Sequence, residues 1–154
     1  MLKMNVVSIY KLKDKRYIIF GSNKTVSGFR IASEPVILIR ESEVDRHIVG
    51  FSIKTSISYT NLHPVQDPEN WKEFNKQFIQ RIGVKSLKEL EPPNAKLVSI
   101  RDGSETIIFR PMRPAKKPDK GFTETDDEKN VTIPSTASEE DIAIACEVAF
   151  GRCE

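Results

Sequence analysis

The stretch 48–82 constrains the fold of this chain more than any other, because a regular alternation of residues runs there through one loop into a well-delimited helix pattern. Between positions 49 and 59 every second residue is large or β-branched, and the residues between them are glycine, serine or lysine. A period of two residues is typical of a β-strand with one buried and one solvated face. The alternation therefore predicts a long strand over residues 49–59.

A helix pattern follows this predicted strand. Asp67 can accept hydrogen bonds from the first helical turn, and Pro68 suits the first helical position. Four large apolar residues recur at steps of three, four and four, which places them on one stripe. They are Trp71, Phe74, Phe78 and Ile82. We expect the stripe to pack on the preceding strand, so that Trp71→Ala would cost about 3 to 5 kcal/mol of stability.

Two β-hairpins are predicted outside this stretch. The first joins residues 5–10 to residues 16–20 through a charged turn. The second joins residues 95–101 to residues 106–110 through an Asp-Gly dipeptide, which is favoured in tight hairpin turns. Pro111 is expected to end the second strand of that hairpin, because proline cannot donate to a strand ladder.

Shorter elements complete the expected fold. Apolar runs predict further short strands at 27–31, 36–39 and 131–133. Ser138 is expected to begin a last helix that Gly151 closes. Together these elements predict a single α+β domain over residues 1–154, with an antiparallel or mixed sheet of about five to seven strands and two main helices.

Residues 111–130 form the longest segment without a clear element, and they predict a mobile loop. Basic residues come first and acidic residues follow. The basic cluster consists of Arg110, Arg113, Lys116, Lys117 and Lys120. Such a cluster can contact phosphates, so a nucleic-acid-binding module that uses residues 110–120 is one alternative function. The prolines and the acidic residues that follow favour a solvated loop whose charges compensate each other.

The overall charge and hydropathy place few limits on partners but some on location. Lysine and arginine number 24 against 22 acidic residues, so the net charge of +2 does not indicate a nucleic-acid or membrane partner. No apolar run approaches the ~18 residues of a membrane span, and residues 1–10 lack the pattern of a signal peptide. We therefore expect a cytoplasmic protein without membrane contact.

The inventory of reactive side chains predicts no catalytic residue, no cofactor and no metal site. The only histidines, His47 and His63, stand far in sequence from the only cysteines, Cys146 and Cys153. None of these residues has the spacing of a metal-ligand pair. The two cysteines would lie about 10 Å apart along one helix, so reduced thiols are the expected state.

Acidic residues gather just before the predicted strand, at Glu41, Glu43 and Asp45. They need no explanation as a solvated surface. As a binding surface they would suit a basic partner, since complementary charge accelerates association and fixes register. Glu43, Asp45 and His47 could also form an acid–base set. A hydrolase is therefore a third possible function.

The C-terminal part of the chain resembles a known family. The strand Asn130-Val131-Thr132-Ile133, Pro134 and the helix start Ser138-Glu139-Glu140-Asp141-Ile142 are similar to the ending of immunity proteins from bacterial contact-dependent growth inhibition systems. The hairpin end Ile107-Ile108-Phe109-Arg110-Pro111 and the later Gly121-Phe122 fit the same pattern. The resemblance covers roughly the last 60 residues.

This resemblance implies a small cytoplasmic protein that binds the C-terminal toxin domain of a cognate contact-delivered effector and neutralises it. Such toxins are commonly nucleases, and their inhibitors occlude or distort the toxin's active site without chemistry of their own. We therefore expect a stoichiometric inhibitor, not an enzyme, with one protein partner and no cofactor. The carboxylates of Glu41, Glu43 and Asp45 are the expected contribution to the toxin contact.

Overall fold

One antiparallel sheet dominates residues 5–60 and 65–154, which are the residues that the computed structural model describes. Its eight strands are β1 (Asn5–Leu12), β2 (Tyr17–Lys24), β3 (Arg30–Ala32), β4 (Ile37–Ile39), β5 (Ala95–Asp102), β6 (Thr106–Pro114), β7 (Phe122–Glu124) and β8 (Val131–Pro134). The strand order is β3-β2-β1-β5-β6-β7, with β4 on β2 and β8 on β6. Every pairing between these strands is antiparallel. Hairpins join β1 to β2 and β5 to β6, whereas the central pair of β1 with β5 joins segments that α1 and α2 separate in sequence.

Three helices cover the two faces of this sheet. They are α1 (Arg46–Tyr59), α2 (Trp71–Ile82) and α3 (Glu139–Gly151). We call the side that carries α1 and α3 the first face and the side that carries α2 the second face. Single 3-10 turns lie at Glu41–Glu43, Leu87–Leu90 and Asp127–Lys129.

The main core lies on the first face. Alternate strand residues such as Ile9, Ile19 and Ile100 point there and are fully buried. Ile53 of α1 and Ile142 of α3 pack on them without any exposed surface. Burying one such side chain contributes roughly 1.5 to 3 kcal/mol before conformational entropy is subtracted.

A smaller core lies on the second face. Leu12, Ile18 and Ala95 point there from three neighbouring strands. Ile82 at the end of α2 and Leu90 of the following 3-10 turn cover them. The sheet therefore separates two apolar clusters, and only part of the second face is covered.

The predicted strand over residues 49–59 is wrong, because these residues form most of α1. Asp45 caps this helix by accepting hydrogen bonds from the N–H groups of His47 and Ile48. Apolar residues at every second position also recur at every fourth position, so the same pattern supplies a helical stripe. The sheet-facing stripe uses Val49 and Ile53 together with small serines, and it leaves Phe51 exposed.

The helix predicted after this segment exists, but it begins later than the sequence indicates. Asn70, not Asp67, caps α2 by accepting a hydrogen bond from the N–H of Glu73. Asp67 is engaged elsewhere, because the hydroxyls of Ser27 and Thr25 donate to it and hold the pKa of its carboxyl below its usual range. The stripe does not pack on the residues 49–59, and Trp71 is 42% exposed.

Both predicted hairpins and the last helix are confirmed. The second hairpin is longer than expected, because Pro111 pairs with Val98 inside β6 and does not end the strand. The strand predicted at 36–39 is the outer strand β4, and Leu38 on it is 41% exposed. Ser138 caps α3 by accepting a hydrogen bond from the N–H of Asp141.

The α+β class with an antiparallel sheet is confirmed. The described residues contain eight strands and three helices, which is one strand and one helix more than expected. The additional helix is α1, most of which was predicted to be a strand. The mobility expected for residues 111–130 stays a prediction. Within that segment the structure places the end of β6, strand β7 and a 3-10 turn.

Candidate functional site

Aromatic residues concentrate on the second face. Ring contacts link Tyr10 to Phe20 at 5.9 Å and to Phe122 at 6.3 Å, and Phe20 continues to Phe78 at 5.3 Å. On the same helix as Phe78, Phe74 contacts Trp71, and the indole of Trp71 contacts Phe29 at 5.8 Å. Seven of the twelve aromatic residues thus form a band that begins inside the protein and ends at its surface.

All residues of this band except Phe29 line an open depression of about 490 Å³, which we call the aromatic groove. Residues of β3, such as Arg30 and Ile31, form one side, and Gly121 and Phe122 at β7 contribute to another. β3 and β7 stand at opposite ends of the strand order, so their approach to one groove shows that the sheet is curled. Met112 and Leu97 add flexible apolar surface to the floor.

A second depression of about 880 Å³ adjoins the aromatic groove and shares Glu91 and Gly121 with it. Its walls are rich in proline, with Pro92 and Pro93 on one side and the loop that ends β6 on the other. Lys117 and Lys120 supply positive charge at this end. Rigid apolar walls with a charged margin suit a protein segment better than a small polar substrate.

The outer end of the aromatic groove is an exposed apolar patch. Phe29 is 59% exposed and Trp71 is 42% exposed, although both rings are in contact with each other. Large exposed aromatic residues that adjoin a groove are typical of interaction surfaces, because they bury much area at low cost in side-chain entropy. The geometry therefore favours a binding role for this face.

Strand β7 is attached to β6 through Glu124. The Glu124 carboxylate accepts a hydrogen bond from Arg101 at 3.0 Å and pairs with Arg110 at 2.5 Å. The Nε of Arg113 donates to the Glu124 backbone carbonyl at 3.2 Å. Thr125 follows Glu124 in sequence, and its buried hydroxyl donates a hydrogen bond to the Pro111 carbonyl at 2.7 Å. Three arginines therefore converge on one residue of β7.

The acidic residues predicted to touch a partner lie where the chain enters α1 on the first face, and none of them lines the aromatic groove. Glu41 pairs with Lys15 at 3.7 Å and Glu43 pairs with Arg40 at 3.9 Å, all of them exposed. Asp45 is the cap of α1. The structure thus brings Glu41, Glu43 and Asp45 together at one exposed corner, away from the aromatic groove.

The basic cluster at residues 110–120 is divided by the fold. Arg110 is largely buried, with 16% of its side chain exposed, and it pairs with Glu124 and Asp127. Arg113 is engaged with β7. Lys116, Lys117 and Lys120 remain exposed in the connection between β6 and β7. Because its arginines are used inside the protein, the cluster does not form the continuous basic surface that nucleic-acid binding would need.

Within the described part of the chain, His47 and the two cysteines do not assemble into a site. His47 Nδ1 lies 2.8 Å from a carboxylate oxygen of Glu139 at the exposed start of α3, and His63 lies outside the described residues. Cys146 is buried in the main core, and burial raises the pKa of its thiol and of that of the partly buried Cys153. Among residues 5–60 and 65–154, no cluster of three potential metal ligands occurs.

The aromatic groove was not predicted from the sequence, because its residues come from β1, β2, α2 and β7 and meet only in the fold. One signal was available. Tyr10 and Phe20 alternate with the buried Ile9 and Ile19, so both faces of these strands carry large apolar residues. Such strands are expected to be covered or bound on both sides.

These features define a small α+β domain whose prominent surface is an apolar groove suited to a protein partner. The chain belongs to the family described as CdiI, CDI immunity protein, which its sequence matches over residues 52–153. The resemblance found in the last 60 residues is thereby confirmed, and the match extends back through α2 to residue 52 within α1. Proteins of this family are toxin inhibitors and not enzymes, as expected for this chain.

Solved structures show the same fold. A protein of unknown function from Neisseria meningitidis superimposes with a TM-score of 0.73 at 15% identity, over 100% of this chain and 98% of that chain. A chain of the CdiA-CT/CdiI toxin and immunity complex from Yersinia pseudotuberculosis gives a TM-score of 0.72 at 18% identity, over 99% of both chains. A search of curated proteins gave no match. Within the described residues, none of the helices is both long and apolar enough to span a bilayer.

Proposed function

We propose that this protein acts in the cytoplasm by binding the C-terminal toxin domain of a cognate contact-dependent growth inhibition effector, and that this toxin is a nuclease. Membership of the CDI immunity protein family supports the inhibitory role. The similar Yersinia pseudotuberculosis structure is a complex of a toxin with its immunity protein. The nuclease activity of the toxin rests on what is common among such toxins.

The aromatic groove is the surface that we assign to the toxin contact. The observation that carries this assignment is the exposed pair Phe29 and Trp71 at the mouth of a groove that aromatic rings line along its length. Aromatic anchors in desolvated pockets dominate binding energy at protein interfaces. A specific complex of ordinary size would bury about 800 Å² of this protein, so the groove and its margins form the centre of the interface.

Inhibition then follows from occupancy and not from turnover. If the contact covers or distorts the active site of the toxin domain, the bound toxin cannot act on nucleic acid. Inhibition then lasts as long as the complex does. Affinity differences between related complexes arise mainly from the rate of dissociation. We therefore expect inhibition to be stoichiometric and to persist after dilution.

The acidic corner at Glu41, Glu43 and Asp45 has a different role in this proposal. The corner lies at the start of α1 and contributes no residue to the groove, so one toxin domain seated in the groove does not need to touch all three carboxylates. Charges at a distance act on the rate of approach, within a screening length of about 8 to 10 Å at moderate salt. We propose that they attract a basic toxin domain during association.

The principal experiment combines the purified protein with the C-terminal domain of the large exoprotein that we expect to be encoded immediately upstream. The toxin domain alone should degrade RNA or DNA, and one equivalent of this protein should abolish that activity. A toxin domain that binds but degrades neither nucleic acid would contradict the nuclease assignment only. Failure of the two proteins to bind would contradict the proposed partnership itself.

The role of the groove is tested with Trp71→Ala against Val148→Ala, an exposed apolar residue of α3 on the first face. Trp71→Ala should raise the dissociation constant for the toxin domain by roughly 30-fold or more, which corresponds to about 2 kcal/mol. The Val148 variant should bind almost as the wild type does. Equal affinities of all three proteins would remove the groove from the interface.

The acidic corner requires variants that leave α1 intact. Glu41→Lys reverses a charge whose only ion pair in the described structure is the exposed one with Lys15. Asp45→Asn removes a charge but keeps a good cap residue. Both should slow association and weaken its dependence on salt, while dissociation stays unchanged. Glu105→Lys, at an exposed position beside the turn between β5 and β6, is the control, and identical association rates throughout would contradict the steering role.

A further inference from the structure

The wall of the aromatic groove nearest β7 depends on a very short strand. β7 has three residues and pairs only with the end of β6, where Met112, Arg113 and Pro114 face Glu124, Thr123 and Phe122. A three-residue strand contributes few backbone hydrogen bonds, so its position must be fixed by other contacts. Phe122, the first residue of β7, lines the groove and contacts Tyr10.

Side-chain contacts supply this attachment, and they converge on Glu124. Arg101 of β5 and Arg110 of β6 lie on neighbouring strands and both pair with the Glu124 carboxylate. Arg110 also reaches Asp127 at 3.1 Å in the turn that follows. Because Arg110 is largely buried, these pairs are less screened by salt than ordinary surface pairs.

Glu124 itself does not line the groove, whereas Phe122 two positions earlier does. Glu124 faces Met112 in the strand pairing and borders the groove without lining it, so a change at Glu124 can alter the groove through the position of β7. The loop before β7 adds little restraint of its own, since Gly121 has a positive φ of 84° and one hydrogen bond from Ala115 to the Gly121 carbonyl closes it.

We propose that Glu124 is a positioning residue for toxin binding: the three arginines that hold it fix β7, and β7 holds Phe122 in place as a wall of the aromatic groove. This inference rests on the proposed function, because it assumes that the toxin domain enters the groove. When Glu124 loses its charge, β7 separates from β6 in a larger fraction of molecules. The apparent dissociation constant then rises in inverse proportion to the fraction that remains attached.

The test compares Glu124→Gln with Glu128→Gln. Glutamine keeps the shape of glutamate but loses the charge-assisted pairs with Arg101 and Arg110. Glu128 is an exposed glutamate four positions later that makes no ion pair within the described structure, so its variant controls for the change of net charge. Binding is measured with the same upstream-encoded toxin domain, and hydrogen exchange of the amides of residues 121–125 is measured without toxin.

We expect Glu124→Gln to accelerate exchange in residues 121–125 and to raise the dissociation constant about tenfold, with an unchanged melting temperature of the main transition. Glu128→Gln should match the wild type in all three measurements. A Glu124→Gln protein that binds the toxin as tightly as the wild type overturns the inference. A wild-type protein that does not bind the toxin at all overturns the proposed function instead, and the exchange experiment still reports on β7.

A rescue experiment separates positioning from direct contact. The facing pair Arg113 and Thr123 points away from Met112, which lines the groove, so a disulfide between cysteines at these two positions would hold β7 without altering the groove surface. The disulfide replaces the hydrogen bond from Arg113 to the Glu124 carbonyl, and this loss is the same in the oxidised parent and in the oxidised Glu124→Gln protein. Cys153 is replaced by serine in this background to prevent mispairing. Oxidation should restore the affinity of Glu124→Gln to within about twofold of the oxidised parent. Failure of rescue with a formed disulfide would show that Glu124 touches the toxin itself, and it would overturn the positioning role.

Discussion

The contact between α1 and α3 gives a sharp prediction about Gly50. A Cβ atom on Gly50 would lie 2.0 Å from the carbonyl oxygen of Glu139 and 2.6 Å from its carbonyl carbon, and both belong to the backbone at the start of α3. Ordinary contacts of Cβ atoms are 3.4 to 4 Å long. The two helices must therefore separate by about 1 Å or more in a Gly50→Ala variant, and the main core between them must loosen.

Two opposing effects set the magnitude. Alanine is more favourable than glycine inside a helix by about 1 kcal/mol. Overpacking of a rigid contact costs roughly 1 to 3 kcal/mol and sometimes more, and the neighbour here is helix backbone that cannot rotate away. A rigid neighbour places the overpacking cost near the upper end, about 3 kcal/mol, so we expect a net loss of about 2 kcal/mol in the free energy of unfolding. In a domain of this size that loss lowers the melting temperature by roughly 4 to 8 °C.

The measurement is urea denaturation followed by far-ultraviolet circular dichroism, with Gly151→Ala as the matched control. Gly151 ends α3, and an added Cβ there meets no atom within 4 Å. The control should therefore be as stable as the wild type or slightly more stable. A Gly50→Ala protein with an unchanged or increased midpoint would refute the close approach of α1 and α3.

Three further predictions concern other parts of the molecule. In denaturation experiments Ile53→Ala should cost about 2 to 5 kcal/mol of stability and Phe51→Ala less than about 1 kcal/mol, because only Ile53 is buried. Similar costs for the two variants would favour a strand over a helix. Trp71→Ala should cost only about 1 kcal/mol of stability, since the indole is partly exposed, and a loss of 3 kcal/mol would place it in the core after all. Burial raises the pKa of Tyr17 to about 12 from an ordinary value of 10. The contribution of this shift to the free energy of unfolding, roughly 2 kcal/mol, is complete below pH 10 and is lost as the pH rises toward 12. A spectroscopic titration in which all three tyrosines ionise near pH 10 would contradict this.

Local signals in the sequence were sufficient to predict elements whose structure depends on interactions between neighbouring residues. The Asp-Gly turn between β5 and β6 and the capped start of α3 at Ser138 are examples, because turn chemistry and capping act over a few residues. The α1 segment shows the limit of such signals. Its alternation fits two periods at once, and only the cap at Asp45 and the packing of Gly50 on α3 select the helix.

The candidate site could be predicted less well than the fold. The sequence predicted a toxin contact at Glu41, Glu43 and Asp45, because a cluster of like charges can be recognised from neighbouring residues alone. It gave no indication that Phe122 meets Tyr10, because that contact depends on the curl of the sheet and on the attachment of β7 through Glu124. Surfaces made by distant strands require the register of the whole sheet, which no local pattern contains.

The presence of two separate apolar clusters, one on each side of the sheet, has a consequence for motion. The cluster under α2 is the smaller one, and none of its members is shared with the cluster under α1 and α3. Transient detachment of α2 exposes Ile18 and Ile82 while the other layer stays closed, so it requires less energy than global unfolding. The aromatic groove, which we propose as the toxin-binding surface, is thus built on the layer that detaches most easily. A partner bound there should suppress this detachment and slow amide exchange throughout α2.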